Sequence, residues 1–103
     1  MKNQIDTLIN ISNISHSYII YYQFNRSIKQ SIQYKDGRID ASTWINELIY
    51  CFIKNNKTII DEFISILNKQ KEKVSTLNNC DYKKGLYDQL TLISTKIEKV
   101  ISA

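Results

Sequence analysis

Tyr34-Lys35-Asp36-Gly37-Arg38-Ile39-Asp40 decides how the chain is read, because it holds one of only two glycines in 103 residues that contain no proline. Asp-Gly is a turn dipeptide, and glycine reaches left-handed backbone without a side-chain clash. Read as a breaker, the stretch ends one helix just after Tyr34. Asp40, Ser42 or Thr43 then stands ready to cap the next by accepting a backbone N–H.

On the N-terminal side the spacing predicts a long first helix, from about Asn3 to Tyr34. Ile11, Ile14, Tyr18, Tyr21, Asn25, Ile28 and Ile32 alternate steps of three and four, which is one helix face. Asn and Ser between residues 10 and 17 compete with the helix by bonding to nearby backbone, so a kink or a late start belongs there. Three more helices follow. The second carries Ile45, Leu48, Ile49, Phe52 and Ile53 and ends at Asn55-Asn56-Lys57. The third is capped by Thr58, has Asp61 and Glu62 near its positive end, and presents Ile60, Phe63, Leu67, Gln70, Val74 and Leu77. Asn78-Asn79 stops it, and Asp81 caps a fourth with the stripe Tyr82, Leu86, Leu90, Ile93, Ile97 and Val100. Gly85 inside that helix costs about 1 kcal/mol against alanine and marks a place for close approach of a neighbour.

With no linker, no low-complexity tail and no internal repeat of useful length, the expectation is a single all-α domain over residues 1–103. Short connections make it an antiparallel bundle of about four helices. A straight first helix of some 30 residues would span roughly 45 Å against roughly 20 Å for the second, so either the first bends or part of it lies outside the core.

Composition narrows the classes. A 43% apolar content suffices for a core. The N-terminus lacks the apolar run of a secretory signal, and no stretch approaches the roughly 20 apolar residues of a spanning helix. Nineteen Ile, 12 Lys and 10 Asn against two Ala point to AT-rich codons, hence a low-GC bacterium or mobile element. That bias also accounts for much of the net charge of +4. Cys51 and Cys80 form no CxxC pair and read as reduced, partly buried thiols of a cytoplasmic protein.

Chemical motifs are sparse. Asp36-Gly37-Arg38-Ile39-Asp40 looks like the middle of an EF-hand loop, yet that register puts Ile32, Tyr34 and Thr43 at positions one, three and twelve, where calcium needs oxygen ligands. His16 is the only histidine, and the Ser17-Tyr18-Ile19 that follows lacks the apolar-Lys-Gly pattern of phosphotransfer helices. No metal set, phosphate loop or nucleophile–base spacing is legible, so neither catalysis, a cofactor nor a metal is expected.

Two surfaces remain. Tyr18-Ile19-Ile20-Tyr21-Tyr22-Gln23-Phe24 is apolar all round as a helix. Ile20 and Phe24, one turn apart, extended by Ile9 and His16 and flanked by Tyr22, lie on a second face: either the other three helices wrap it as core, or it is a protein-binding face, for self-association or for a different protein. Arg26, Lys29, Lys35 and Arg38 form a cationic cluster for phosphates or an acidic partner. The expectation is a non-catalytic helical binding module such as an inhibitor, immunity protein or small chaperone. The less favoured alternative is a nucleic-acid-binding accessory protein that uses the cationic cluster.

Overall fold

The computed structural model describes residues 4–25, 29–57 and 60–102. They form four helices: α1 (Gln4–Phe24), α2 (Ile32–Lys54), α3 (Ile60–Ser75) and α4 (Asp81–Ser102). Among the described residues there is no strand, and the architecture is an all-α four-helix bundle. α1 runs unbroken through residues 10–17.

The first break is not where the Asp-Gly dipeptide suggests. Asp36 and Gly37 lie inside α2, and the chain turns instead between Phe24 and Ile32. Ser31 caps α2: its backbone is extended, and its hydroxyl accepts the Tyr34 N–H at 3.1 Å. With the break moved, α1 has 21 residues and α2 has 23, so the expected length mismatch disappears. The far end of α2 follows its sequence. Asn56 takes φ 57°, a left-handed value that asparagine tolerates. The Lys57 N–H reaches back to the Phe52 carbonyl at 2.8 Å, and the Asn56 N–H to Ile53 at 3.1 Å.

The Thr58 cap lies outside the described residues. α3 ends at Ser75, short of Asn78-Asn79, and Lys83 Nζ donates to the Ser75 and Leu77 carbonyls at 3.0 and 2.9 Å. Asp81 is the first residue of α4 rather than its cap; Cys80 Sγ accepts the Lys83 N–H at 3.5 Å. Both cysteines are free and exposed, not partly buried.

The core joins all four helices: Leu8 and Ile11 from α1, Ala41, Ile45, Ile49 and Phe52 from α2, Ile60, Phe63, Leu67 and Val74 from α3, and Leu90, Ile93 and Ile97 from α4. Phe52 and Phe63 meet edge to face at 5.6 Å. Among the described side chains of the expected stripes, Tyr21, Ile32, Ile53 and Leu77 are exposed and the others are buried or half-buried; Ile28 and the Val100 side chain lie outside the described residues. In α1 the buried line runs Leu8, Ile11, Ser15 and then the half-buried Tyr18 and Tyr22, so Tyr22 rather than Tyr21 faces inward. α1 runs antiparallel to α2, as the pairing of Ser12 with Asn46 and of Tyr22 with Tyr34 requires.

α2 and α4 form the most extensive helix pair, and the two glycines explain it. Each lies at the crossing of these helices. A Cβ on Gly37 would strike the Tyr82 carbonyl, the Leu86 nitrogen at 2.8 Å and Gly85 Cα at 3.0 Å. A Cβ on Gly85 would strike the Tyr34 carbonyl, the Arg38 nitrogen at 3.0 Å and Gly37 Cα at 3.1 Å. Neither glycine has positive φ, so both are needed for their missing side chain and not for conformational freedom.

The flanking residues repeat as well. Tyr34-Lys-Asp-Gly37-Arg-Ile-Asp40 and Tyr82-Lys-Lys-Gly85-Leu-Tyr-Asp88 share Tyr-Lys-x-Gly-x-x-Asp, an internal repeat that the expectation of none had missed. The copies bond reciprocally across the crossing. The Tyr34 hydroxyl donates to Asp88 Oδ2 at 2.8 Å, and the Tyr82 hydroxyl to Asp40 Oδ2 at 2.6 Å. The centre of the fold is thus a pseudo-twofold helix pair.

Candidate functional site

One arm of this crossing closes over Arg38. Its guanidinium carbon lies 5.6, 4.9 and 5.8 Å from the ring centres of Tyr18, Tyr22 and Tyr34. Arg38 Nε donates to Gln89 Oε1 at 2.6 Å, and Nη1 donates to the Tyr34 hydroxyl at 2.8 Å. That hydroxyl in turn donates a hydrogen bond to Asp88 Oδ2 at 2.8 Å. A cation over aromatic faces is attracted by the ring quadrupoles, and the planar fork of arginine suits two fixed acceptors. Burial raises the Tyr34 pKa above the usual 10.0, the bond to Asp88 adds to this, and Arg38 opposes it. Burial likewise raises Tyr22, again against Arg38. The cluster links α1, α2 and α4.

The expected cationic cluster is therefore divided. Arg38 is half-buried, with Nε and Nη1 bonded to Gln89 and Tyr34. Lys29 is exposed, Lys35 is half-buried, and Arg26 lies outside the described residues.

The expected protein-binding residues separate differently. Ile20 and Phe24 are exposed at 45% and 72%, and His16 is exposed beside them on α1. Tyr22 is not part of this open face: it is half-buried, stacked on Tyr18 and packed against Tyr34. Two residues not expected there join the surface. Tyr21 is 48% exposed one turn before Phe24, and Ile32, 73% exposed, begins α2 at the same end of the bundle. The sequence from residue 7 to residue 35 contains no aspartate or glutamate, and Asp88 of α4 is the acid that meets Tyr34.

No protein-family model, curated protein or solved structure matches the chain. Residues 36–40 are helical, which removes the loop that an EF-hand reading would need. Among the described residues, no group of three or more His, Cys, Asp or Glu is placed to hold a metal ion, and no helix is long and apolar enough to cross a membrane.

A last feature sits on the other arm of the crossing. Asp40, Ala41, Trp44, Gln70, Tyr82 and Leu86 line a groove of about 240 Å³ between α2, α3 and α4. The Tyr82 pKa is pushed up to about 12, first by its bond to Asp40 and then by burial. Single residue types gave no signal for the Arg38 cluster or this groove. The signal was the duplicated seven-residue pattern, visible only when two distant segments are set side by side.

Proposed function

We propose that the protein is a non-catalytic helical binding module that acts by steric contact through the apolar end formed by Ile20, Tyr21, Phe24 and Ile32. The exposure of Ile20 and Phe24 one turn apart carries this reading. Large apolar side chains grouped on an otherwise folded surface mark contact sites, and aromatic residues dominate the energetics of such sites. The Arg38 cluster supports it from beneath: Tyr18 and Tyr22 are held by a fixed cation, so the face is rigid before contact and loses little entropy on binding. Roles as an inhibitor, immunity protein or small chaperone fit a face of this kind.

The test is the double substitution Ile20→Asp with Phe24→Asp. Both side chains are exposed, so the far-ultraviolet dichroism and urea midpoint should stay near wild type. Self-association by sedimentation equilibrium, or capture of a specific partner from the native cell, should be lost. Retention of both with the fold intact would sink the proposal.

A further inference from the structure

We propose that the groove between Asp40, Trp44, Gln70 and Tyr82 is a binding site for a guanidinium group. The argument comes from the repeat. Superposing its two copies pairs Tyr34 with Tyr82, Arg38 with Leu86, and Asp88 with Asp40. Extended by one residue, it pairs Gln89 with Ala41. The Arg38 cluster and the groove thus share one frame, a tyrosine–aspartate pair beside the glycine crossing, with different residues filling each. In the first, a tyrosine that donates to an aspartate receives an N–H from a guanidinium, and rings from the neighbouring helix cover it. In the second, the tyrosine–aspartate pair is intact at 2.6 Å, but leucine stands in place of the arginine and alanine in place of the glutamine.

Those two smaller residues leave the groove. Its volume of about 240 Å³ falls below the roughly 300–1,000 Å³ of sites for drug-sized ligands, so it suits one side-chain-sized group. Its lining suits a cation. Asp40 supplies negative charge, and the Tyr82 oxygen can accept as Tyr34 does. Gln70 offers an amide carbonyl in place of Gln89, and Trp44 offers the aromatic face that cations favour most. Leu86 provides the apolar floor along which an arginine stem lies. The ligand chemistry is a guanidinium on a short apolar stem, carried by a free small molecule or by an arginine of a peptide.

The chain reports on its own site, because Trp44 is the only tryptophan in these 103 residues. Trp44 fluorescence is followed while agmatine, N-acetyl-arginine amide, a Gly-Gly-Arg-Gly-Gly peptide and the neutral isostere N-acetyl-citrulline amide are added. A saturable response to the guanidinium compounds, at least tenfold tighter than to the citrulline compound, is expected. Tighter binding of agmatine than of the peptide assigns the site to small molecules, and the reverse assigns it to arginine side chains. Asp40→Asn, at an exposed position, should weaken binding at least tenfold. Leu86→Arg should fill the groove from within and abolish the response. If that variant does not fold, Tyr82→Phe replaces it, with a loss of at least threefold expected. A non-saturable response, equal binding of the citrulline compound, or unchanged affinity in Asp40→Asn would overturn the proposal.

Discussion

Replacing Gly37 by alanine tests the centre of the fold. In an ordinary helix interior this change stabilises by about 1 kcal/mol, because alanine is the better helix former. At the α2–α4 crossing the new methyl meets the Tyr82 carbonyl, the Leu86 nitrogen and Gly85 Cα, all of them backbone atoms that cannot swing away. Overpacking of this kind costs roughly 1–3 kcal/mol, and a backbone obstacle puts it at the upper end. The propensity gain offsets part of that, leaving a net loss of about 2 kcal/mol. In urea, with a slope of about 1–3 kcal/mol per molar, the midpoint should fall by about 1 M. Gly85→Ala should behave alike. The double variant should lose less than the two singles together, since helices already forced apart accept the second methyl more cheaply; such coupling is typically about 0.5–3 kcal/mol. A Gly37→Ala chain as stable as the parent, or strictly additive losses, would refute the crossing as the reason for both glycines.

Two further outcomes follow from the same pair of helices. Arg38→Met removes three ring contacts and two hydrogen bonds while keeping most of the stem, so unfolding free energy should drop by about 2–3 kcal/mol; Arg38→Lys should recover less than half, because an ammonium lacks the planar fork. The Tyr82 pKa is raised to about 12, so its contribution to stability is fully present below the unfolded value near 10 and is lost as pH climbs from 10 to 12. An alkaline urea-midpoint series should show that decline, Tyr82→Phe should make it shallower while Tyr22 and Tyr34, also raised, sustain the remainder, and phenolate absorbance should show one fewer late-titrating group in the variant.

Most of the helical content was legible from spacing alone. Phe63, Leu67 and Val74 in α3, and Leu90, Ile93 and Ile97 in α4, are buried where alternation of three and four places them. The largest departure lies in the segment between Tyr21 and Asp40, and its cause is physical. Glycine lacks a side chain, and that lack serves two ends: it permits left-handed backbone, and it permits close contact between helices. Local sequence cannot separate the two uses. Asp36 beside Gly37 makes a turn dipeptide, while the break itself relies on a serine cap at Ser31 that resembles many other serines in the chain. The second glycine, in a helix with matching flanks, held the missing information.

The exposed end was legible in part for a related reason. The run from Tyr18 to Phe24 is apolar all round, so its composition cannot say which residues face in. A slip of one position exchanges Tyr21 and Tyr22. Partners supplied by other helices fix the register: Ser12 bonds to Asn46, and Tyr22 lies over Arg38.

The reciprocal Tyr–Asp bonds around paired glycines give each half of the chain a self-complementary face. What α2 offers α4 within one molecule, α2 of a second molecule can offer equally well. Shortening the segment between residues 54 and 60 until it no longer lets α3 fold back should therefore yield an exchanged dimer with the same interior, not an unfolded chain. Size-exclusion chromatography of such a deletion, monomeric or unfolded instead, would show that the two halves are not interchangeable.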